Sequence, residues 1–338
     1  MQNCNNGKLN ILDSNAIYVA RGIAILSVIA AHVNQINNSS IISLIITNGI
    51  NYFGQIGVII FFITGGFLYE RQEHDTFKYF ARKWRTLILP WFFCSSITYF
   101  LSVLLTMSFS LENYFKWILG SGTWYYYIAV YVILLALFKW IWKRDALLFL
   151  CIILTGSSLW IGGDLIFGQN LMGEVITPYL NIFNWIGFFA MGILARRYIG
   201  TLKIKENLLL IALAFMILGC VGLCCFEVHT YFSIYSYIFE IGSGLLLINL
   251  CYYINKMHYV IMILEYSGKN SYCIYLLHMQ IVQFLCSRIP NNIFGDVLRP
   301  IIGLAIMDIL IWLIYKIGKK HKFVNKVLFF LGLREYKK

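Results

Sequence analysis

Residues 208–226 read LLLIALAFMILGCVGLCCF, an unbroken run without a single charged side chain. A helix of that length matches the hydrocarbon core of a bilayer, which takes about 20 apolar residues at a rise of about 1.5 Å each. Working outward toward the N-terminus, similar windows lie at 178–195, 146–161, 124–142, 86–107, 50–69 and 17–33. Toward the C-terminus they lie at 234–254, 271–286 and 300–317. The chain is therefore expected to be an all-α polytopic integral membrane protein with about ten transmembrane helices. Composition agrees, with 60% hydrophobic and 12% charged residues and a mean hydropathy of +0.73, against an apolar share of roughly 45–50% in soluble domains. Soluble, disordered, collagenous and disulfide-scaffold classes are excluded.

The connections between windows give a second, independent reading. Basic residues crowd into alternate connections: Arg71, Lys78, Arg82, Lys83 and Arg85 before the third window, Lys139, Lys143 and Arg144 after the fourth, and Arg196, Arg197, Lys203 and Lys205 after the sixth. Lys116, Arg288 and Arg299 fall in the opposite set, leaving 24 of the 27 Lys and Arg on one side. The positive-inside rule makes that side the cytoplasm and puts both termini there. This geography also explains the net charge of +12 by membrane orientation, with no nucleic-acid partner. A single multi-pass domain over 1–338 is expected in the cell membrane, with short cytoplasmic ends at 1–16 and 318–338. The polar start MQNCNNGKLN lacks the pattern of a cleaved signal, so the first helix is expected to stay as an anchor. Eight of the nine cysteines lie in or beside apolar segments, with no CxxC and no Cys/His spacing for a metal; they read as small buried side chains.

Ionisable groups at membrane depth mark function, pathway or pairing. The first window carries two, Arg21 and His32, in RGIAILSVIAAH. Eleven residues at 100° each return to nearly the same helix face, about 16 Å further along the axis. Arg21 suits a phosphate-bearing ligand, because its planar fork donates bidentately and stays charged. His32 suits proton transfer near neutral pH. The alternative is that Arg21 snorkels to headgroups and His32 hydrogen-bonds a neighbouring helix.

RKWRTLILP places Arg82 and Arg85 three apart at the cytoplasmic start of the third window, as a phosphate-binding pair or as ordinary positive-inside charge. FFITGGF closes the second window with Gly65 and Gly66, which permit close helix approach. SGKNSYCIYLLH puts Tyr275 and His278 on one face, within plausible reach of His32 or simply as core. Glu240 and Asp308 are helix-pairing groups, proton-relay members or counter-ions to Arg21. The run Trp124 to Tyr127 reads first as an interfacial aromatic belt, with a sugar-stacking platform as the sharper reading.

The four pieces RGIAILSVIAAH, FFITGGF, RKWRTLILP and SGKNSYCIYLLH, in this order and spacing, resemble the membrane-bound acyltransferase family 3, and the resemblance covers nearly the whole chain. It implies transfer of an acyl group, most often acetyl from acetyl-CoA, to a hydroxyl of a cell-envelope glycan or lipid-linked sugar. It implies that Arg21 and His32 are the catalytic pair of the first helix, and that Arg82 and Arg85, with Arg21, hold the acyl-CoA. His278, Tyr275, Glu240 and Asp308 are further candidate site residues, and no metal is implied. One departure is Gly65, where the family commonly has Ser, so no side-chain chemistry is expected there. Some relatives also carry a fused extracytoplasmic hydrolase-like domain, and nothing of that size lies in this sequence. Competing readings are a proton-coupled polysaccharide or small-molecule transporter using the buried Glu240, Asp308, His32 and His278, and a membrane scaffold without chemistry.

Overall fold

The computed structural model describes residues 11–33, 41–69, 76–164, 177–201, 203–225, 231–254, 258–290 and 292–333. The N-terminal ten residues and the connections holding Asn38, Arg71, His229 and Lys256 lie outside that set. All regular structure among the described residues is helical. In chain order the helices are α1 (Ile11–Val33), α2 (Ile41–Tyr69), α3 (Thr76–Lys83), α4 (Leu89–Thr106), α5 (Leu111–Leu119), α6 (Tyr126–Ile141) and α7 (Asp145–Trp160). They continue with α8 (Ile186–Tyr198), α9 (Glu206–Cys225), α10 (Ile234–Ile254), α11 (His258–Lys269), α12 (Ser271–Arg288), α13 (Ile293–Lys320) and α14 (Lys322–Phe330).

Among the described residues, six helical segments are long and apolar enough to cross a bilayer, and α6 and α7 are shorter apolar helices. Large apolar side chains stay exposed where these helices face outward, among them Leu105 on α4, Leu210 and Leu218 on α9 and Trp312 on α13. In water such a surface would be an aggregation liability; against lipid it is the ordinary exterior of a membrane protein. Each of the ten apolar windows contains a helix, but the sixth departs from expectation. Its helix begins only at Ile186, and the preceding residues form a loop with one 3-10 turn, Ile182–Asn184. The asparagines explain this. Asn181 accepts from the Phe183 amide at 3.1 Å, and the Asn184 side chain donates to the Gly163 and Pro178 carbonyls at 3.0 and 2.7 Å. At Phe183 and Pro178 side-chain amides thus satisfy backbone groups that a longer helix would have paired itself.

The helix bearing Arg21 and His32 is the centre of the bundle. α1 packs against α2, α10, α11, α12 and α13, and Ser27 fastens it to α2 by donating to the Phe53 carbonyl at 2.5 Å, with Gly54 O at 3.2 Å. Behind α2 lies α8, at a separation only glycine allows. A Cβ on Gly66 would sit 2.0 Å from the Phe189 carbonyl oxygen, and one on Gly192 would sit 2.1 Å from that of Ile63. The second glycine of FFITGGF is therefore a packing residue.

Between α3 and α4 the chain makes one π turn, Trp84–Ile88, with the Leu89 amide donating to Trp84 O. Pro90 follows directly. Proline has no N–H to give the Thr86 carbonyl, and its ring crowds that oxygen, so the regular ladder is interrupted just before it. The α-helical spacing expected for Arg82 and Arg85 is altered as a result.

Arg299 is a second departure. Counted by sequence as charge in an outward connection, it lies within α13 and is fully buried, paired with Asp296 at 2.8 Å. Its remaining donors reach the carbonyls of Val33 at 3.2 Å and of Ile289 and Pro290 at 2.8 Å each. A buried guanidinium is tolerable in such a setting because both terminal nitrogens meet a carboxylate or carbonyl oxygens, leaving only Nε without a protein partner.

Candidate functional site

A cavity of about 1300 Å³ opens among α1, α2, α6 and α12. His32, in the last turn of α1, is exposed along it. Asn48, Asn51 and Gln55 of α2 supply amides to the wall, and Trp124, Tyr126 and Tyr231 supply aromatic surface. The stretch Trp124 to Tyr127 is not a simple interfacial belt. Tyr125 is fully buried, its hydroxyl donating to the Leu276 carbonyl at 3.0 Å, and the Tyr275 hydroxyl donates to the Trp124 carbonyl. Those two bonds lock the start of α6 onto α12 and turn Trp124 and Tyr126 toward the cavity.

The same lock places His278. Its ring centroid lies 5.3 Å from that of His32, 5.6 Å from Tyr275 and 6.2 Å from Trp124. His278 Nδ1 is 2.7 Å from the Tyr275 carbonyl oxygen. Since a carbonyl only accepts, that contact assigns the proton to Nδ1 and leaves Nε2 as an acceptor. Nε2 is buried with no protein partner. Two imidazoles from helices 246 positions apart in sequence thus stand side by side, one on the cavity wall and one behind it with its tautomer set.

Eleven residues back from His32, midway along α1, the chemistry changes. The Arg21 guanidinium lies 5.8 Å from the Phe61 ring centre, its Nε is buried without a partner, and no carboxylate pairs with it among the described residues. Lys83 stands within electrostatic reach of both Arg21 and Arg82, and the Tyr127 and Tyr131 hydroxyls share that neighbourhood. Arg82 and Arg85 rest over different rings, the first over Tyr79 at 6.0 Å and the second over Phe329 of α14 at 5.6 Å. This is a cationic region separated from His32 by about 16 Å along α1. Beside it, Gly65 makes room for an aromatic ring, since a Cβ there would fall 2.7 Å from Cε2 of Tyr131 and 3.1 Å from its hydroxyl.

Glu240 and Asp308 take no part as counter-ions to Arg21. Glu240 is buried on α10 with Oε1 unpaired, near the hydroxyls of Tyr126 and Tyr231 that border the cavity. Asp308 accepts from Ser267 at 2.5 Å and joins α13 to α11, which is a helix-pairing role. Lys83, the cavity amides and Arg299 were missed by sequence reading. Lys83 was visible in the basic cluster, but nothing in its spacing distinguished it from its neighbours.

A family model for an acyltransferase domain matches residues 14–316, from the second turn of α1 to the last turns of α13. No curated protein and no solved structure matches the chain. The match spans the cavity, the histidine pair and the cationic region together, and the chain belongs to the acyltransferase 3 family.

Proposed function

We propose that this membrane acyltransferase moves an acetyl group from cytoplasmic acetyl-CoA to a hydroxyl of a cell-envelope glycan or lipid-linked sugar. The observation that carries the reading is the placement of His32. It is exposed to a large cavity rich in aromatic and amide side chains, beside a second imidazole, and on the same helix as Arg21, which has no carboxylate partner among the described residues. The proposed orientation has ten spans, cytoplasmic termini and the cavity facing away from the cytoplasm, in the cell membrane, as the distribution of basic residues supports.

On this reading the donor's phosphates meet Arg21, Arg82 and Arg85, and its pantetheine arm runs along α1 toward His32. The acceptor sugar enters the cavity, where aromatic faces stack on its apolar side and amides take its hydroxyls. Neutral His32 removes the proton from the acceptor hydroxyl as its oxygen bonds to the acetyl carbonyl carbon. The C–S bond then breaks, and the leaving thiolate takes the proton from the imidazolium, returning the site to its starting state. His278 acts through His32 as a positioning residue. Positioned proton transfer of this kind contributes about 10²–10⁴-fold. The test is transfer of labelled acetyl from acetyl-CoA to membrane glycan by purified protein in nanodiscs. Absence of transfer by a folded protein that instead moves glycan in response to a proton gradient would replace the transferase reading with a transporter.

A further inference from the structure

A second space of about 310 Å³ lies between α2, α9 and α10. Its α10 wall includes Phe239, Ser243, Leu247 and Leu250, positions three and four apart that form one stripe on one helix face. Facing them on α2 are Gly49, Tyr52 and Ile56, again one face. The wall is apolar: its hydroxyl at Ser243 donates back to the Phe239 carbonyl at 2.6 Å and has no proton left for a ligand. From Phe239 to Leu250 the groove follows the helix for about 16 Å, and Leu250 at its far end is 48% exposed. Its near end adjoins the large cavity across Tyr52, which lines both spaces and whose ring lies 5.7 Å from that of Phe239.

A polar, aromatic chamber with a narrow apolar groove beside it, one tyrosine bordering both, is complementary to an amphiphile. We infer that the acceptor is a sugar carried on a single long hydrocarbon chain, with its hydroxyl at His32 and the first part of its chain in the groove beyond Tyr52. This rests on the transferase reading of the cavity. A single groove of this volume takes one chain, which favours a polyprenyl-type carrier over a two-chain glycolipid. A polymer glycan without a lipid would use the chamber and leave the groove to bulk lipid.

The experiment uses full-length protein in membrane vesicles from the cell that makes it, supplied with acetyl-CoA labelled in the acetyl group. Label is expected first in the chloroform–methanol extract. Gly49 gives a clean obstruction, since a Cβ there meets nothing within 4 Å. Gly49→Trp is expected to fill the groove and lower lipid-extractable label by on the order of tenfold, the effect of displacing a few buried methylenes, while Gly49→Ala stays near wild type. Acetyl-CoA binding by Gly49→Trp at wild-type strength shows that the variant is folded. Label appearing first in water-soluble polymer, or a folded Gly49→Trp that labels the lipid extract normally, overturns the inference and leaves the transferase reading intact. Should Gly49→Trp fail to fold, the wild-type partition alone decides. No label in any fraction from folded wild type overturns the transferase reading itself.

Discussion

The buried guanidinium of Arg299 donates to the carbonyl oxygen of Val33 at 3.2 Å, one residue beyond His32. α13 thereby holds the end of α1 that carries the candidate base, while the same side chain gathers Ile289 and Pro290 at the end of α12. Removing it takes the cationic partner from the buried Asp296. Arg299→Met is expected to destabilise the protein by about 3–5 kcal/mol, the scale for breaking one side of a buried ion pair. Thermal unfolding in detergent checks this, and Arg299→Lys should recover little, because one ammonium cannot reach three carbonyls and a carboxylate.

His32→Ala is expected to abolish acetyl transfer, a loss of about 10²–10⁴-fold, with expression and thermal stability close to wild type because the side chain faces a cavity. Retained transfer in a well-folded variant would remove His32 from the proposed chemistry.

His278→Ala should lower kcat by up to about 10²-fold, as loss of positioning at a reacting group does, while leaving the acetyl-CoA KM unchanged. The loss should stay smaller than that of His32→Ala. A shifted pH–rate profile in the variant separates positioning from simple packing, since a filler residue would alter stability without moving the profile.

Arg85→Ala is expected to weaken acetyl-CoA binding by about 1.5–3 kcal/mol, the worth of a hydrogen bond to a charged group. Arg85→Lys should restore part of that loss, because a point charge cannot reproduce the guanidinium fork. Arg21→Ala should behave alike if its unpaired Nε faces the donor. Calorimetry on protein in nanodiscs reads all three, and donor binding untouched by Arg21→Ala would confine that residue to structure.

Cysteine labelling from either side of the membrane should find Arg82, Lys143, Arg196 and Lys269 positions accessible from the cytoplasm and the Asp164 position accessible from outside. One consistent reversal would defeat the ten-span orientation.

What the sequence made legible was periodic or compositional. A charge-free run such as 208–226 admits one solution in lipid, a helix, and eleven residues between Arg21 and His32 fix their relation on any helix. Tyr275 and His278 share a face for the same reason. The remainder depends on neighbours distant in the chain. The approach of His32 to His278 follows from α1 meeting α12, and the burial of Arg299 follows from carbonyls at Val33, Ile289 and Pro290. Pro90 was in plain view, but which of its neighbours would absorb the broken ladder as a π turn was not. The aromatic run changed meaning because the Tyr125 and Tyr275 hydroxyls bond across to the backbone carbonyls of Leu276 and Trp124.

The meeting of Gly65 with Tyr131 has a consequence for inheritance. A serine at 65 would bring its Cβ to 2.7 Å from Cε2 of the tyrosine ring, so the ring has to give way to admit it. A lineage that gains the hydroxyl on α2 has to shrink or swing aside the residue on α6, and one that loses it gains space for a phenol beside Arg21. Positions 65 and 131 are therefore expected to change together across descendants of a common ancestor, with the single replacement Gly65→Ser poorly tolerated here and rescued by Tyr131→Ala.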